Sequence, residues 1–191
     1  RTFVEEIPQY PPNPEKRLID KFHDENTYFI CLDGTRLGGM VAVRGKRPFS
    51  LDEKVTGLDA HLPTGASVCE IRLLAVEPEY RRSNIFAQLF HFAAGQCIKE
   101  GYTLGVASGT LRQQRLYSRM GFVPFADQVG TDKARFQPMY LTLESALNLF
   151  ERLGAPQPML AKPVSFMPGP VELNPRVREA FNAPVISHRS G

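Results

Sequence analysis

The stretch that most restricts the fold is an apolar strand that runs into a proline and then directly into an amphipathic helix. Residues 68–76 are almost continuously apolar, and Pro78 ends this extended run. From 84 to 100, apolar residues recur at helical spacing. A buried strand that leads so quickly into a helix is typical of an α/β protein. The polar residues Glu70 and Arg72 are two positions apart, so they are predicted to share one face of the sheet.

The segments on both sides predict further strands and helices. Residues 28–32 and 40–43 are apolar runs on either side of an Asp33-Gly34 turn signal, and we expect them to form a hairpin. Residues 44–66 follow no period and are predicted as a long loop with at most one short helix. The remaining elements predicted are strands at 104–107, 122–125 and 138–143 and helices at 111–120 and 145–153. The predicted fold class is α/β, with a mixed, mostly antiparallel sheet flanked by helices.

Composition excludes several other classes of protein. The 191 residues are 42% hydrophobic and 23% charged, which excludes a collagen, a coiled coil, a disulfide scaffold and a wholly disordered chain. No apolar run approaches the ~18 residues of a transmembrane helix, and a net charge of +3 is too small to indicate nucleic-acid binding. The three cysteines and four histidines fit no zinc spacing, so we expect no metal site. Unclustered cysteines favour a reducing compartment, and we expect a cytoplasmic protein.

The turn between the strand and the helix has the features of an anion-binding site. A helix N-terminus carries unpaired backbone N–H groups and the positive end of the helix dipole, and together these bind phosphate. Arg81 and Arg82 add guanidinium donors at this turn. The residues by themselves leave two interpretations open: a phosphate site, or a strand–turn–helix with two solvated arginines.

Residues 68–125 resemble the acyl-CoA-binding core of the GNAT acyltransferase superfamily. That family has an apolar strand ending in L-x-V, then P-x-Y-R, then [QR]-x-x-G-x-[GA] at the start of a helix, and later L-Y before G-F. The matching segments here are Leu74-Ala75-Val76, Pro78-Glu79-Tyr80-Arg81, Arg81 to Phe86, and Leu116-Tyr117 with Gly121-Phe122. The resemblance implies a GNAT-type sheet with a V-shaped splay between two central strands, one ending at Val76 and the other at 104–107.

The phosphate turn departs from the family pattern. Asn84 and Phe86 replace its two glycines, and Thr110 stands where an asparagine is frequent. Because asparagine tolerates a left-handed backbone, Asn84 is expected to substitute for the first glycine. Phe86 cannot imitate glycine, and it is expected either to point into the core or to narrow the groove.

The resemblance also implies a donor site and a catalytic pair. The donor would be acetyl-CoA or another acyl-CoA, with its phosphates on the N–H groups of residues 81–87 and its pantetheine arm along the strand end. A backbone N–H close to Val76 would polarise the thioester carbonyl. Glu70 is expected to act as general base, and Tyr117 as the acid for the leaving thiolate. The implied donor-binding residues are Leu74, Ala75, Val76, Arg81, Arg82, Ser83, Asn84, Ile85, Phe86 and Ala87.

These assignments have alternatives. Glu70 could instead pair with Arg72 on an exposed face, and Tyr117 could be a core residue at the end of an amphipathic helix. The domain could also be a non-catalytic regulatory module that binds an acyl thioester or an amino acid. The replaced glycines favour that module, whereas Glu70 and Tyr117 favour an N-acyltransferase that acts on a small-molecule amine.

The N-terminal segment, Phe3 to Tyr10, is similar to the opening of a GNAT branch that makes N-acyl amino acids and acyl-homoserine lactones. In that branch the donor is often a long acyl chain on an acyl carrier protein. Such a donor would need a basic docking patch, for which the candidates are Arg81, Arg82, Arg112 and Arg115. The family's first strand would then lie upstream of this chain. The alternative is an amphipathic helix end followed by a proline linker.

The last part of the chain carries a different resemblance. Residues 166–190 are similar to the opening segment of class V, fold-type I aminotransferases, with P-G-P, P-R-V and S-H-R-S in that order. The lysine that holds pyridoxal phosphate in such enzymes would lie outside this chain, so no pyridoxal phosphate is expected here. We therefore expect a fragment of a fusion protein. Residues 1–153 would be the GNAT-like domain, and 154–191 a proline-rich linker with the severed start of an aminotransferase.

Overall fold

The computed structural model describes residues 19–132 and 134–153. The predictions for the N-terminal segment and for residues 154–191 lie outside the described residues. The strands are β1 (Thr27–Asp33), β2 (Arg36–Arg44), β3 (Val68–Val76), β4 (Leu104–Thr110), β5 (Val123–Pro124), β6 (Val129–Thr131) and β7 (Ala134–Thr142). The helices are α1 (Ile85–Lys99), α2 (Gln114–Arg119) and α3 (Leu143–Leu153).

The strands form one seven-stranded sheet in the order β1-β2-β3-β4-β7-β5, with β6 also paired to β7. Each of these pairs is antiparallel except β3–β4, which is parallel. A parallel pair requires a crossover connection, and α1 lies in the connection between β3 and β4. The predicted α/β fold with a mixed, mostly antiparallel sheet is therefore confirmed.

The central strands β3 and β4 are paired over only part of their length. Val68, Cys69 and Glu70 pair with Leu104, Gly105 and Val106, and there the pairing ends. Beyond this point β3 pairs only with β2, and β4 pairs only with β7. The expected V-shaped splay is thus present between these two strands. We call it the gap, and the Glu70–Val106 pair forms its apex.

A β-bulge lies in β3 just past the apex. Met40 pairs with Ala75 and Ala42 pairs with Arg72, so β3 has one residue more than β2 between these pairs. Leu73, within the bulge, has a φ of 49°. This left-handed conformation costs a non-glycine residue about 1–3 kcal/mol. Because a bulge bends its own strand, it helps to separate the end of β3 from β4.

The two faces of the sheet are covered differently. On one side, the helix face, α1 and α3 pack against the sheet, and the three cysteines Cys31, Cys69 and Cys97 are all buried there as free thiols. On the other side, the loop face, residues 45–66 pack Phe49 and Leu51 against β3 and β4. Side chains alternate between faces along a strand, so Glu70 and Arg72 both lie on the loop face, as predicted.

Element boundaries differ from the sequence-based expectation mainly around β4 and β7. β4 continues through Ser108, Gly109 and Thr110, which pair with residues 136–138 of β7 although glycine is depleted in strands. The short β6, which was not predicted, pairs antiparallel with the first three residues of β7. Among the described residues, no helix has the length and apolar character needed to cross a membrane.

Candidate active site

The gap has a tyrosine on its helix-face side. Tyr117, on α2, lies against the unpaired part of β4, and a Cβ on Gly109 would approach its Cε2 atom to 2.5 Å. The Tyr117 ring also meets Phe122 edge-on, with centroids 5.3 Å apart. Burial raises the pKa of the Tyr117 hydroxyl, so it stays protonated at neutral pH. No hydrogen bond joins this hydroxyl to another described residue, and desolvation is what shifts its pKa.

Glu70 lies at the apex, on the opposite face. Its side chain is 1% exposed and accepts hydrogen bonds from four donors of the protein. The Ser50 backbone N–H donates to it over 2.8 Å, the Leu51 N–H over 3.2 Å and Arg72 Nη1 over 2.9 Å, and the Ser50 hydroxyl is the fourth donor. The pair with Arg72 therefore exists, but it is buried rather than exposed. A carboxylate offers about four acceptor positions, so Glu70 could accept a substrate proton only after losing one of these donors.

Arg72 links Glu70 to a second carboxylate, that of Asp20, near the start of the described residues. Its second nitrogen, Nη2, donates to Asp20, while Arg72 Nε is buried and has no acceptor among the described residues. Desolvation acts to raise the pKa of Asp20, but the Phe22 N–H and the Arg72 cation outweigh it and hold the pKa below its usual value. The charges thus fix the Ser50–Leu51 loop against the apex.

A second buried arginine, Arg44, supports the same region. Its side chain is 1% exposed, and Arg44 Nη2 lies 3.1 Å from a Glu25 oxygen. Its Nε donates to the Pro48 carbonyl over 2.7 Å, and its guanidinium lies 3.8 Å from the Phe22 ring centroid. Sequence reasoning missed Arg44 and Asp20, since their partners are distant in the chain. A local signal existed for Arg44, because it directly follows the apolar run of residues 40–43.

The expected phosphate turn follows β3. Arg81 Nε donates to the Val76 carbonyl over 3.1 Å, which fixes the turn to the end of the strand. The Ser83 hydroxyl donates to the Tyr80 carbonyl over 2.7 Å and accepts from the Ile85 N–H over 3.2 Å.

The N–H groups of Phe86 and Ala87, in the first turn of α1, have no acceptor among the described residues, as is usual there. Arg82 is exposed and has no hydrogen-bond partner within that part of the chain. Both the turn N–H groups and this guanidinium can therefore meet an anion.

The backbone at Asn84 differs from the expectation. Asn84 has φ −85° and ψ 4°, so it is not left-handed, and the expectation that it replaces a glycine by adopting that conformation is wrong. The chain passes from a short 3-10 turn at Pro78–Tyr80 to α1 without a left-handed residue at this position. Phe86 points toward the core, where its ring stacks on Phe90 at a centroid distance of 6.3 Å.

Two glycines of β2 allow the start of α1 to approach the sheet. A Cβ on Gly38 would lie 2.9 Å from Ile85 Cδ1, and one on Gly39 would lie 3.0 Å from the Ala75 carbonyl oxygen. Sequence reasoning did not include these glycines in the site. The signal was a Gly-Gly pair beside a predicted strand, which is typical of close approach by another backbone.

The strand end predicted to hold the pantetheine arm borders the gap. Leu74, Ala75 and Val76 have a partner strand on the β2 side only, so their other edge faces the gap. Leu74 packs into the helix-face core, and its neighbours are half-buried. An extended ligand can therefore lie along this edge in the manner of an added strand.

An apolar cavity lies on the helix face, beneath the paired end of β3 and β4. It is small, with a volume of about 40 Å³. Ile71, the first residue of β3 past the apex, connects the cavity wall to the gap, and a Cβ on Gly105 would approach Ile71 Cδ1 to 2.8 Å. The other walls include Cys69, Phe90, Ala93, Cys97, Leu141 and Ala146.

The predicted docking arginines form two separate groups. Arg112 and Arg115 line a shallow surface groove with Arg119, along α2. Arg81 and Arg82 belong instead to the turn before α1. In the described part of the chain, no three His, Cys, Asp or Glu residues come together as a metal site.

The chain is similar to proteins of known kind. The sequence profile of the N-acyl amino acid synthase FeeM family matches residues 3–143. No curated protein matches the chain. The solved structures that resemble it include BjaI, a CoA-dependent acyl-homoserine lactone synthase with SAM and isopentyl-CoA. BjaI is 21% identical with a TM-score of 0.66, over 81% of this chain and 78% of its own.

Two further structures have the same fold. FeeM, an N-acyl amino acid synthase from uncultured soil microbes, is 13% identical with a TM-score of 0.54, over 78% of this chain and 77% of its own. An aminoglycoside 6'-N-acetyltransferase complexed with coenzyme A is 11% identical with a TM-score of 0.51, over 74% of this chain and 86% of its own. The fold is that of GNAT-like acyltransferases, and the protein is an acyltransferase that uses an acyl donor. Because the family profile spans most of its length, the chain belongs to the N-acyl amino acid synthase FeeM family.

Proposed function

We propose that this domain transfers an acyl chain longer than acetyl from acyl-CoA to the amino group of an amino acid. The observation that carries the proposal is the gap between β3 and β4, with a small apolar cavity behind Ile71. A thioester in the gap would have its carbonyl between β3 and β4 and its acyl chain in this cavity. The family match supports an amino acid as the acceptor. The resemblance of residues 166–190 to an aminotransferase is consistent with that acceptor, since aminotransferases act on amino acids.

The reaction divides between the two faces of the gap. The amino nitrogen attacks the thioester carbonyl carbon, the C–N bond forms and the C–S bond breaks. The leaving thiolate takes the phenolic proton of Tyr117, which is on the helix face, and the proton that the nitrogen releases as the amide forms restores the phenol. The acceptor ammonium must first lose a proton, and Glu70 is the proposed base, provided that one of its four donors is displaced. A backbone N–H near Val76 would polarise the carbonyl.

The family match and the BjaI neighbour favour a donor longer than acetyl. The cavity, at about 40 Å³, is far smaller than the roughly 300–1,000 Å³ of typical small-molecule sites. A longer acyl chain would therefore enter it only by displacing side chains of its wall. The BjaI structure contains isopentyl-CoA, a donor of intermediate length, on the same fold.

We expect kcat/KM to rise with the length of the donor chain. Burying one methylene contributes about 0.8 kcal/mol, which corresponds to about fourfold in kcat/KM per methylene until the cavity is full. The measurement is a steady-state series of straight-chain acyl-CoA donors, starting from acetyl-CoA, with one amino acid acceptor. Equal kcat/KM for acetyl-CoA and hexanoyl-CoA would exclude the cavity as the acyl site.

A cavity-filling variant tests the same assignment. Ala146→Leu, on the cavity wall, should shift the preferred donor to a shorter chain, because its added atoms occupy the acyl space. Leu147→Met is the matched control, since Leu147 is the next residue of α3 and is exposed. The thermal midpoint of both variants is measured first, because overfilling a core can cost about 1–3 kcal/mol.

The phosphate turn supports CoA as the donor. The alternative donor is an acyl carrier protein, which would bind at the arginine-lined groove along α2. With CoA donors, Arg82→Ala should raise KM about 10-fold, and less at high salt, because an exposed guanidinium–phosphate contact is screened. Arg115→Glu is the matched change in the α2 groove and should leave CoA kinetics unaltered. If the donor is a carrier protein, Arg115→Glu should instead cause the larger loss, since acidic partners associate through surface arginines.

A further inference from the structure

Lys54 lies at the mouth of the gap on the loop face. Its ammonium is 3.5 Å from the Ser108 hydroxyl and 5.3 Å from the centroid of the Phe136 ring. Ser108 belongs to the part of β4 that β3 leaves unpaired, and its side chain shares the loop face with that of Val106. Lys54 is thus on the opposite side of the gap from Tyr117. An acceptor that enters from the loop face would meet Lys54 before reaching the thioester.

The carboxylates around Lys54 are bound to other cations. Glu53 pairs with Lys21, while Asp20 and Glu70 both pair with Arg72. Within residues 19–132 and 134–153, no carboxylate oxygen lies within ion-pair distance of the Lys54 ammonium. Lys54 therefore interacts with these acids only at longer range, and among the described residues its three N–H donors have one hydrogen-bond partner, the Ser108 hydroxyl.

Two cations near the gap have donor capacity that the protein does not use. Desolvation lowers the pKa of the Lys54 ammonium, and the nearby Arg72 charge lowers it further, although Glu70 and Glu53 act in the opposite direction. The Arg72 side chain is only 10% exposed, and its Nε has no acceptor among the described residues. Arg72 already pairs with Asp20 and Glu70, whereas Lys54 is exposed and has no carboxylate partner among the described residues, so Lys54 is the cation of the two that is open to an added anion.

The charges of the whole group indicate what kind of anion would fit. Three cations and three anions meet on the loop face, so the group as a whole is neutral. They are Lys21, Lys54, Arg72, Asp20, Glu53 and Glu70. A ligand of net negative charge would unbalance the group. A zwitterion would not, because it adds one charge of each sign.

We propose that the Lys54 ammonium, together with the Ser108 hydroxyl, binds the carboxylate of the acceptor amino acid. This inference deepens the proposed function and rests on it. With its carboxylate held at the mouth, the amino acid presents its amino group to the gap, where the thioester carbonyl lies. Lys54 is thus a specificity residue that selects amino acids over simple amines, and it takes no part in proton transfer.

The test compares an amino acid with its own α-carboxamide, which lacks the carboxylate. The wild type should prefer the acid over the amide by about 10- to 100-fold in kcat/KM, the range of a hydrogen bond to a charged group. Lys54→Met should remove this preference, mainly through KM for the acid, and Lys54→Arg should restore part of it. Lys46→Met is the matched control, because Lys46 is an exposed lysine of the same loop.

A binding measurement separates this inference from the proposed function. The same amino acids are titrated calorimetrically into the wild type and into Lys54→Met without any donor. If the wild type binds an amino acid and Lys54→Met binds it at least 10-fold more weakly, the site exists even if no acyl transfer is detected. Equal binding by the two proteins, equal use of acid and amide by the wild type, or no binding at all would each overturn the inference. If the wild type acylates amides as fast as acids, the carboxylate-binding role of Lys54 is contradicted, but the proposed acyl transfer is not.

Discussion

Replacing Tyr117 with phenylalanine should lower kcat by about 10²- to 10⁴-fold and leave donor affinity nearly unchanged. The hydroxyl meets no described residue, and the ring keeps its contacts with Gly109 and Phe122 in the variant. The loss should therefore fall on the step in which the thiolate leaves, because that is where the phenol donates its proton. The measurements are kcat at saturating substrates and the dissociation constant of CoA.

The pH profile and a second tyrosine provide the controls for this prediction. Because burial raises the pKa of Tyr117, its proton should remain in place up to about pH 10, the ordinary tyrosine value, and be lost only above it. Between neutral pH and about pH 10, deprotonation of Tyr117 should therefore cause no loss of activity. Tyr140→Phe is the matched variant, since Tyr140 is a partly buried tyrosine of the loop-face core that stacks on Phe125. If kcat is the same in Tyr117→Phe and wild type, Tyr117 is a core residue and the acid lies elsewhere.

The second large effect is expected at Glu70, and it is an effect on stability. Glu70→Ala should lower the free energy of unfolding by about 3–5 kcal/mol, because it leaves Arg72 Nη1 and the Ser50 N–H buried without an acceptor, while Asp20 still pairs with Arg72 Nη2. For a chain of this size, the melting temperature should fall by about 6–20 °C. Urea unfolding with wild type and variant under identical conditions measures the difference.

An exposed ion pair gives the contrast. Glu79→Ala removes the partner of Arg36 at a site where both side chains are more than half exposed, and we expect a loss of about 0–1 kcal/mol. Glu70→Gln then separates structure from catalysis, since glutamine has the same shape and cannot take a proton. If Glu70 is the base, Glu70→Gln should lower kcat in a folded protein, and higher pH should partly restore it. A folded Glu70→Gln variant with wild-type kcat would leave Glu70 as a positioning residue for Arg72 and the Ser50–Leu51 loop.

Most of the strands and the main helix could be predicted because their signals are local, whereas the gap was implied by the resemblance to the GNAT superfamily. The apolar run of β3, Pro78 and the 3.6-residue period of α1 are each contained within a few residues. The position of Tyr117 beside the gap was instead implied by the resemblance of Leu116-Tyr117 and Gly121-Phe122 to the GNAT pattern. Local periodicity therefore specified the strands and the main helix, and the resemblance placed the site on them.

The features that sequence reasoning missed depend on contacts between distant segments. Nothing in its own neighbourhood places Leu73 in a left-handed conformation, which leucine disfavours, so the bulge was not predicted. Asn84 was expected to be left-handed by its propensity alone, yet the geometry of the turn made that unnecessary. Lys54 looked like any other loop lysine, because Ser108 is 54 positions away and comes beside it only through packing.

Because the parallel contact between β3 and β4 is so short, the sheet consists of two parts that are joined by few hydrogen bonds. One ribbon consists of β1, β2 and β3, and the other of β4 with β7 and its neighbours, and three residue pairs form the hinge between them. α1 bridges both ribbons, since Leu89 packs on one and Phe90 on the other. Breathing motions should therefore concentrate at the hinge, and amide hydrogen exchange should be faster along its edges than inside either ribbon. A donor bound between the ribbons would hold them in a fixed relative position, and slower amide hydrogen exchange at those edges would report its binding.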